Sequence, residues 1–179
     1  MKKKTNYKWL IQVVLISVAA SIVFTFASAE ILGRVGYIVS FAVLAVFIVL
    51  GIIFDLIGIA VTVASEAPFH SMAAHRERGA TESLRLIKNA DKVSSFCNDV
   101  VGDVTGIISG TTAALIASRL MRSFSTESIL FPLLISGVVA GLTVGGKAVG
   151  KSYAINNSTK IVLRIGKLVR FFKFKPNQK

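Results

Sequence analysis

The chain has 179 residues, 53% hydrophobic and 17% charged, a balance foreign to ordinary soluble and disordered proteins. Against that apolar background, 21 Lys and Arg face 9 Asp and Glu, a net charge of +12 that points to anionic lipid or nucleic acid as a neighbour. Position decides between the two. No charge interrupts residues 10–29, 35–54 or 128–146, and a bilayer core needs about 20 apolar residues per helix at 1.5 Å each. The chain therefore reads as an integral membrane protein, with no nucleic-acid partner expected.

A fourth apolar segment, 93–118, carries only Asp99 and Asp103 as charges. Four crossings are predicted, near 9–29, 36–65, 94–118 and 128–149. All should be helical, because hydrocarbon offers no partners to open backbone groups and no strand-period alternation suggests a barrel. The expected fold class is all-α: a polytopic membrane bundle with a juxtamembrane amphipathic helix and a basic amphipathic tail. Three divisions follow: 1–29 as an anchor, 30–150 as the main transmembrane domain, and 151–179 as the cytoplasmic tail. The lysine-rich start and Ala27-Ser28-Ala29 also fit a cleavable signal. An apolar run from Leu10 to Phe26 exceeds the usual signal core of about 7–15 residues, which favours an uncleaved anchor.

Eighteen of the 21 basic residues fall before the first span, in 66–92 or from Lys147 onward, leaving Arg34, Arg119 and Arg122 for the other side. The positive-inside rule then places both termini and the 66–92 connection in the cytoplasm of a cell with this chain in its inner membrane. Pro68 marks the start of the juxtamembrane helix. In the tail, Ile161, Val162, Ile165, Leu168, Val169 and Phe172 recur at helical spacing among Lys160, Arg164, Lys167, Arg170 and Lys173. That pattern predicts a helix lying on anionic inner-leaflet lipid.

Acidic residues inside apolar spans are costly and serve by default as candidates for function. Asp99 and Asp103 are four apart and share a helix face with Ser95; Asp55, Thr62 and Glu66 form a second polar stripe flanked by Gly51 and Gly58. Hard divalent cations take oxygen ligands, and Mg²⁺ uses few carboxylates with retained waters. The candidate metal residues are Asp55, Ser65, Glu66, Asn98, Asp99 and Asp103. The competing reading is internal neutralisation, with Lys147 as partner to Asp99. Gly102, Gly106 and Gly110, and likewise Gly137, Gly141 and Gly145, recur every fourth residue and predict close packing on a neighbouring helix or a second copy.

Residues 145–152, Gly-Gly-Lys-Ala-Val-Gly-Lys-Ser, match the Walker A pattern in letters but follow a membrane span rather than a strand, so no nucleotide is expected. His70 and His75 are five apart and off one face. Cys97 is the only cysteine, which excludes an intrachain disulfide. No Ser/His/Asp or Cys/His constellation stands out, and the chain reads as a non-enzyme.

Ala64-Ser65-Glu66 at a helix end, a basic connection, Asn89-Ala90-Asp91-Lys92, and then Cys97-Asn98-Asp99-Val100-Val101-Gly102-Asp103 resemble the transmembrane domain of the CorB/CorC (CNNM) magnesium transporters. The likeness covers about 55–150. It implies Mg²⁺ as the ion, Ser65 and Asn98 as neutral ligands and a homodimer. Val63 stands where the family has its first serine, an additional N-terminal span is present, and the CBS-pair domains are missing. The sequence thus predicts a divalent-cation transporter, with a non-transporting membrane scaffold as the alternative.

Overall fold

In the computed structural model, residues 7–124 and 130–173 are described; the lysines at 2–4, the start of the predicted fourth span at 128–129 and Lys175 and Lys179 lie outside them. Among the described residues every regular element is helical. In chain order these are α1 (Tyr7–Arg34), α2 (Tyr37–Val63), α3 (Ala67–Ala74), α4 (Ala80–Lys88), α5 (Ala90–Ser95), a π-helical turn (Phe96–Gly102), α6 (Asp103–Ser123), α7 (Leu130–Asn156) and α8 (Ser158–Lys173). Three stretches are long and apolar enough to cross a membrane: Tyr37–Val63, Ala90–Ser123 and Leu130–Asn156. The apolar part of α1, Ile11–Ala27, is shorter.

Contacts divide the chain into two compact units. The first comprises residues 1–52 and 99–146. Here α1 packs on α6, and Leu44 of α2, Ala113 and Ile116 of α6 and Val139 of α7 form a small apolar core. Arg119 donates to the Val35 carbonyl at 3.1 Å, and the Tyr37 hydroxyl meets Ser123 Oγ, which ties the end of α6 to the start of α2. Polar side chains on these helices mostly turn back on their own helix. Ser109 Oγ donates to the Thr105 carbonyl at 2.7 Å, Ser118 Oγ to Ala114 at 2.9 Å and Thr143 Oγ1 to Val139 at 2.8 Å. Such back-bonding hides a hydroxyl from lipid without a tertiary partner. Pro132 sits in the first turn of α7, where its missing N–H costs nothing.

Five of the six glycines predicted to pack make no close contact within this unit; Gly102 is buried. A Cβ added at Gly106, Gly110, Gly137, Gly141 or Gly145 would meet open space. Close approaches do occur at Gly51, which lies against Thr105 Oγ1 and the Gly102 carbonyl, and at Gly146, which lies against the Ile52 side chain.

The second unit comprises residues 53–98 and 147–179. Ala60, Val61, Ala64, Phe69, Ala154, Ile161 and Val162 are its buried core. The juxtamembrane helix predicted near Pro68 is α3, with the proline in its first turn. The predicted tail helix is α8, but its apolar face is divided. Ile161 and Val162 are buried in protein, whereas Leu168, Phe171 and Phe172 are exposed. Part of the face expected on lipid is thus covered by protein: helical spacing identifies an apolar face but not what covers it, and Ile161 and Val162 join a core with Val61, Phe69 and Ala154 where α8 also meets α4.

The α4–α8 crossing is close because its contact residues are small. Ser83 Oγ is within bonding distance of the Gly79 and Val162 carbonyls, at 2.9 and 3.0 Å. A Cβ on Gly166 would collide with Ser83 Oγ and the Gly79 carbonyl. Gly79 has φ +86°, a left-handed conformation in which glycine carries no steric penalty.

Candidate functional site

α2 ends at Val63, so Asp55 lies about 12 Å from its end at 1.5 Å per residue, closer than a helix running to Glu66 would place it. The corner that follows holds Ser65 and Glu66. Ser65 Oγ accepts from the Ala67 N–H at 3.4 Å. Glu66 caps α3 through its carbonyl, which accepts from the Phe69 and His70 N–H groups, both at 3.1 Å. Its carboxylate lies 3.4 Å from His70 Nε2. Both side chains are therefore engaged locally, within the first turn of α3.

Asn98 is placed differently. It lies in the π-helical turn, where an i→i+5 pattern widens the helix and re-aims the side chains it carries. Its Nδ2 donates to Ser94 Oγ at 3.4 Å, while its Oδ1 is buried and has no hydrogen-bond partner. Gly58 of α2 faces that oxygen, and any Cβ there would collide with it. Thr62, one turn later, spends its hydroxyl on the Gly58 carbonyl at 2.9 Å. It therefore does not donate to Asn98. A buried amide oxygen without a donor carries an uncompensated cost of about 1–3 kcal/mol, which a cation or water would relieve.

Asp55 precedes Gly58 by three residues, on the same side of α2, and is half-buried. In the first unit, Asp99 lies in the π-helical turn and Asp103 opens α6; both are exposed. Among the described residues no hydrogen bond or ion pair engages Asp55, Asp99 or Asp103. Nor does any group of three or more His, Cys, Asp or Glu side chains there form a metal-holding cluster. Within the second unit the oxygens at hand are the Asn98 amide and the Asp55 carboxylate, a set that with retained waters suits a hard cation.

The π-helical turn and the Gly58 notch were not legible in the sequence. The sequence marks Gly58 as flanking a polar stripe, but nothing in it pairs Gly58 with Asn98. The Walker A-like residues 145–152 are helical throughout, inside α7, rather than a loop between a strand and a helix. No family model, curated protein or solved structure matches the chain.

Proposed function

We propose that this protein is a multi-pass inner-membrane protein that binds a small hard cation, Mg²⁺ in the first instance, and passes it across the bilayer. The observation that carries the reading is the buried, donor-free Oδ1 of Asn98, set in a π-helical turn against a glycine. Neutral amide oxygens are suitable ligands for Mg²⁺, which dehydrates reluctantly and needs only one or two carboxylates. Asp55 supplies the negative charge, and Ser65 with Glu66 forms the cytoplasmic entrance. The resemblance to the CorB/CorC transporters around Ser65-Glu66 and Asn98 supports the same chemistry. In this reading α1 also crosses the bilayer, as the first of four crossings, both termini are cytoplasmic, and the open glycine faces of α6 and α7 receive a second copy of the chain.

The test is flux in liposomes together with metal-dependent thermal stabilisation, since a ligand bound only by the folded state raises apparent stability. Wild type should pass Mg²⁺ and be stabilised by it. Asn98→Ala should lose both, and Gly58→Ala, which pushes the Asn98 amide aside, should weaken both while still folding. Asp55→Asn reports on the charge, and Asp99→Asn and Asp103→Asn report separately on the carboxylates of the other unit. An impermeable wild type that millimolar Mg²⁺ does not stabilise would replace this reading with the membrane scaffold.

A further inference from the structure

The second unit contains a cleft of roughly 710 Å³ lined by Glu77, Arg78, Lys167, Arg170 and Phe171. Three cations meet one carboxylate there. Lys167 Nζ lies 3.4 Å from Glu77 Oε1, so that pair is internally matched. Arg78 and Arg170 have no acidic partner among the described residues. Two guanidinium groups on one cleft present forked donors suited to a phosphate, which accepts from both.

The frame of the cleft is built rather than incidental. The α3–α4 connection carries Arg76 at φ +56° and Gly79 at φ +86°, and the Glu77 N–H is held by the Met72 carbonyl at 2.8 Å. Gly79 lies so close to the Gly166–Lys167 backbone of α8 that a Cβ there would meet Lys167 N at 2.6 Å. Arg78 is thereby held beside Lys167 and Arg170.

What distinguishes this cleft from a site for a free anion is its rim. Phe171 lines it, is 78% exposed, and packs edge-on against Phe172, itself 76% exposed. Leu168 on the same helix is exposed as well. Two adjacent aromatic rings left in water beside paired arginines are costly. The same surface is favourable at a membrane interface, where rings enter the acyl boundary and basic groups reach headgroups.

We propose that this cleft is a specific site for the phosphate of an anionic phospholipid, with Arg78 and Arg170 holding the phosphate and Phe171 and Phe172 in the acyl region. The proposal requires only that the chain is membrane-embedded, and it stands apart from the cation site at Asn98. It narrows the lipid contact expected of the whole C-terminal helix to the last turns of α8 and the α3–α4 connection.

Delipidated full-length protein in neutral detergent is titrated with phosphatidylglycerol, phosphatidylcholine or inorganic phosphate. Bound lipid is counted by native mass spectrometry and melting is followed in parallel. Phosphatidylglycerol should bind and raise the melting temperature, phosphatidylcholine should not, and the Arg78→Gln/Arg170→Gln pair should weaken phosphatidylglycerol binding roughly thirtyfold. Phe171→Ser, which leaves the charges in place, should weaken it less and serves if the double variant fails to fold. Equal binding of both lipids, undiminished binding by the arginine variant, or stabilisation by inorganic phosphate as large as that by phosphatidylglycerol would overturn the assignment. Mg²⁺-dependent stabilisation, read on the same samples, scores the cation site independently.

Discussion

The two units solve the same problem, burying helices, by opposite means. In residues 1–52 and 99–146 the long helices carry wide apolar surfaces: only 6% of the apolar window of α7 is buried by protein, although α6 buries Val104, Ile108, Ala113 and Ile116. Most hydroxyls of these helices bond to their own helix, Tyr37 with Ser123 being the exception. In residues 53–98 and 147–179 the helices are amphipathic, a core forms around Phe69 and Val162, and Ser83 reaches across to another helix. A core of amphipathic helices forms where burial removes apolar surface from water, whereas helices surrounded by lipid gain nothing of that kind, because lipid tails are as apolar as leucine. Core packing and polar contacts between helices should accordingly dominate stability in the second unit, and local hydrogen bonding should add little in the first.

Substitutions that separate those regimes rank as follows. Phe69→Ala empties a position with no exposed surface and should cost about 3–5 kcal/mol in a reversible detergent unfolding measurement. Val138→Ala on α7, 61% exposed, should lie within about 0.5 kcal/mol of wild type in the same measurement, and a comparable loss at both sites would erase the contrast. Gly166→Val forces side-chain volume into the Gly79 carbonyl, which is backbone and cannot swing away; about 1–3 kcal/mol should be lost, with the α4–α8 pair loosening in hydrogen exchange. Ser83→Ala removes the hydroxyl between two carbonyls and should cost about 1 kcal/mol. The smallest effect is expected at Thr143→Val. Its hydroxyl bonds only to its own helix, so a change of about 0.5 kcal/mol or less is predicted. A larger loss there would reveal a tertiary partner for that face.

The site shows the same division. Glu66 and Ser65 were legible because proline at 68 fixes a helix start and therefore a corner. Asn98 was legible as a candidate, through its resemblance to a ligand segment, but not as a buried oxygen lacking a donor. Its environment depends on the wider π-helical turn and on Gly58 from a distant part of the chain. The equal-spacing argument for Asp99 and Asp103 assumed an unbroken α-helix, and residues 96–102 do not form one.

By itself the amino-acid sequence determined that the chain is helical and suited to a membrane. Long uncharged runs admit no other backbone arrangement in hydrocarbon, and this holds residue by residue without reference to partners. The start of α3 and the amphipathic character of α8 were set just as locally. Only the tertiary structure decided that part of the apolar face of α8 packs on protein instead of lipid, that the repeated glycines of α6 and α7 stay open within one chain, and that Gly58 leaves room for Asn98. Each of these depends on which surface meets which, a property of distant segments brought together that no periodicity along a single helix encodes.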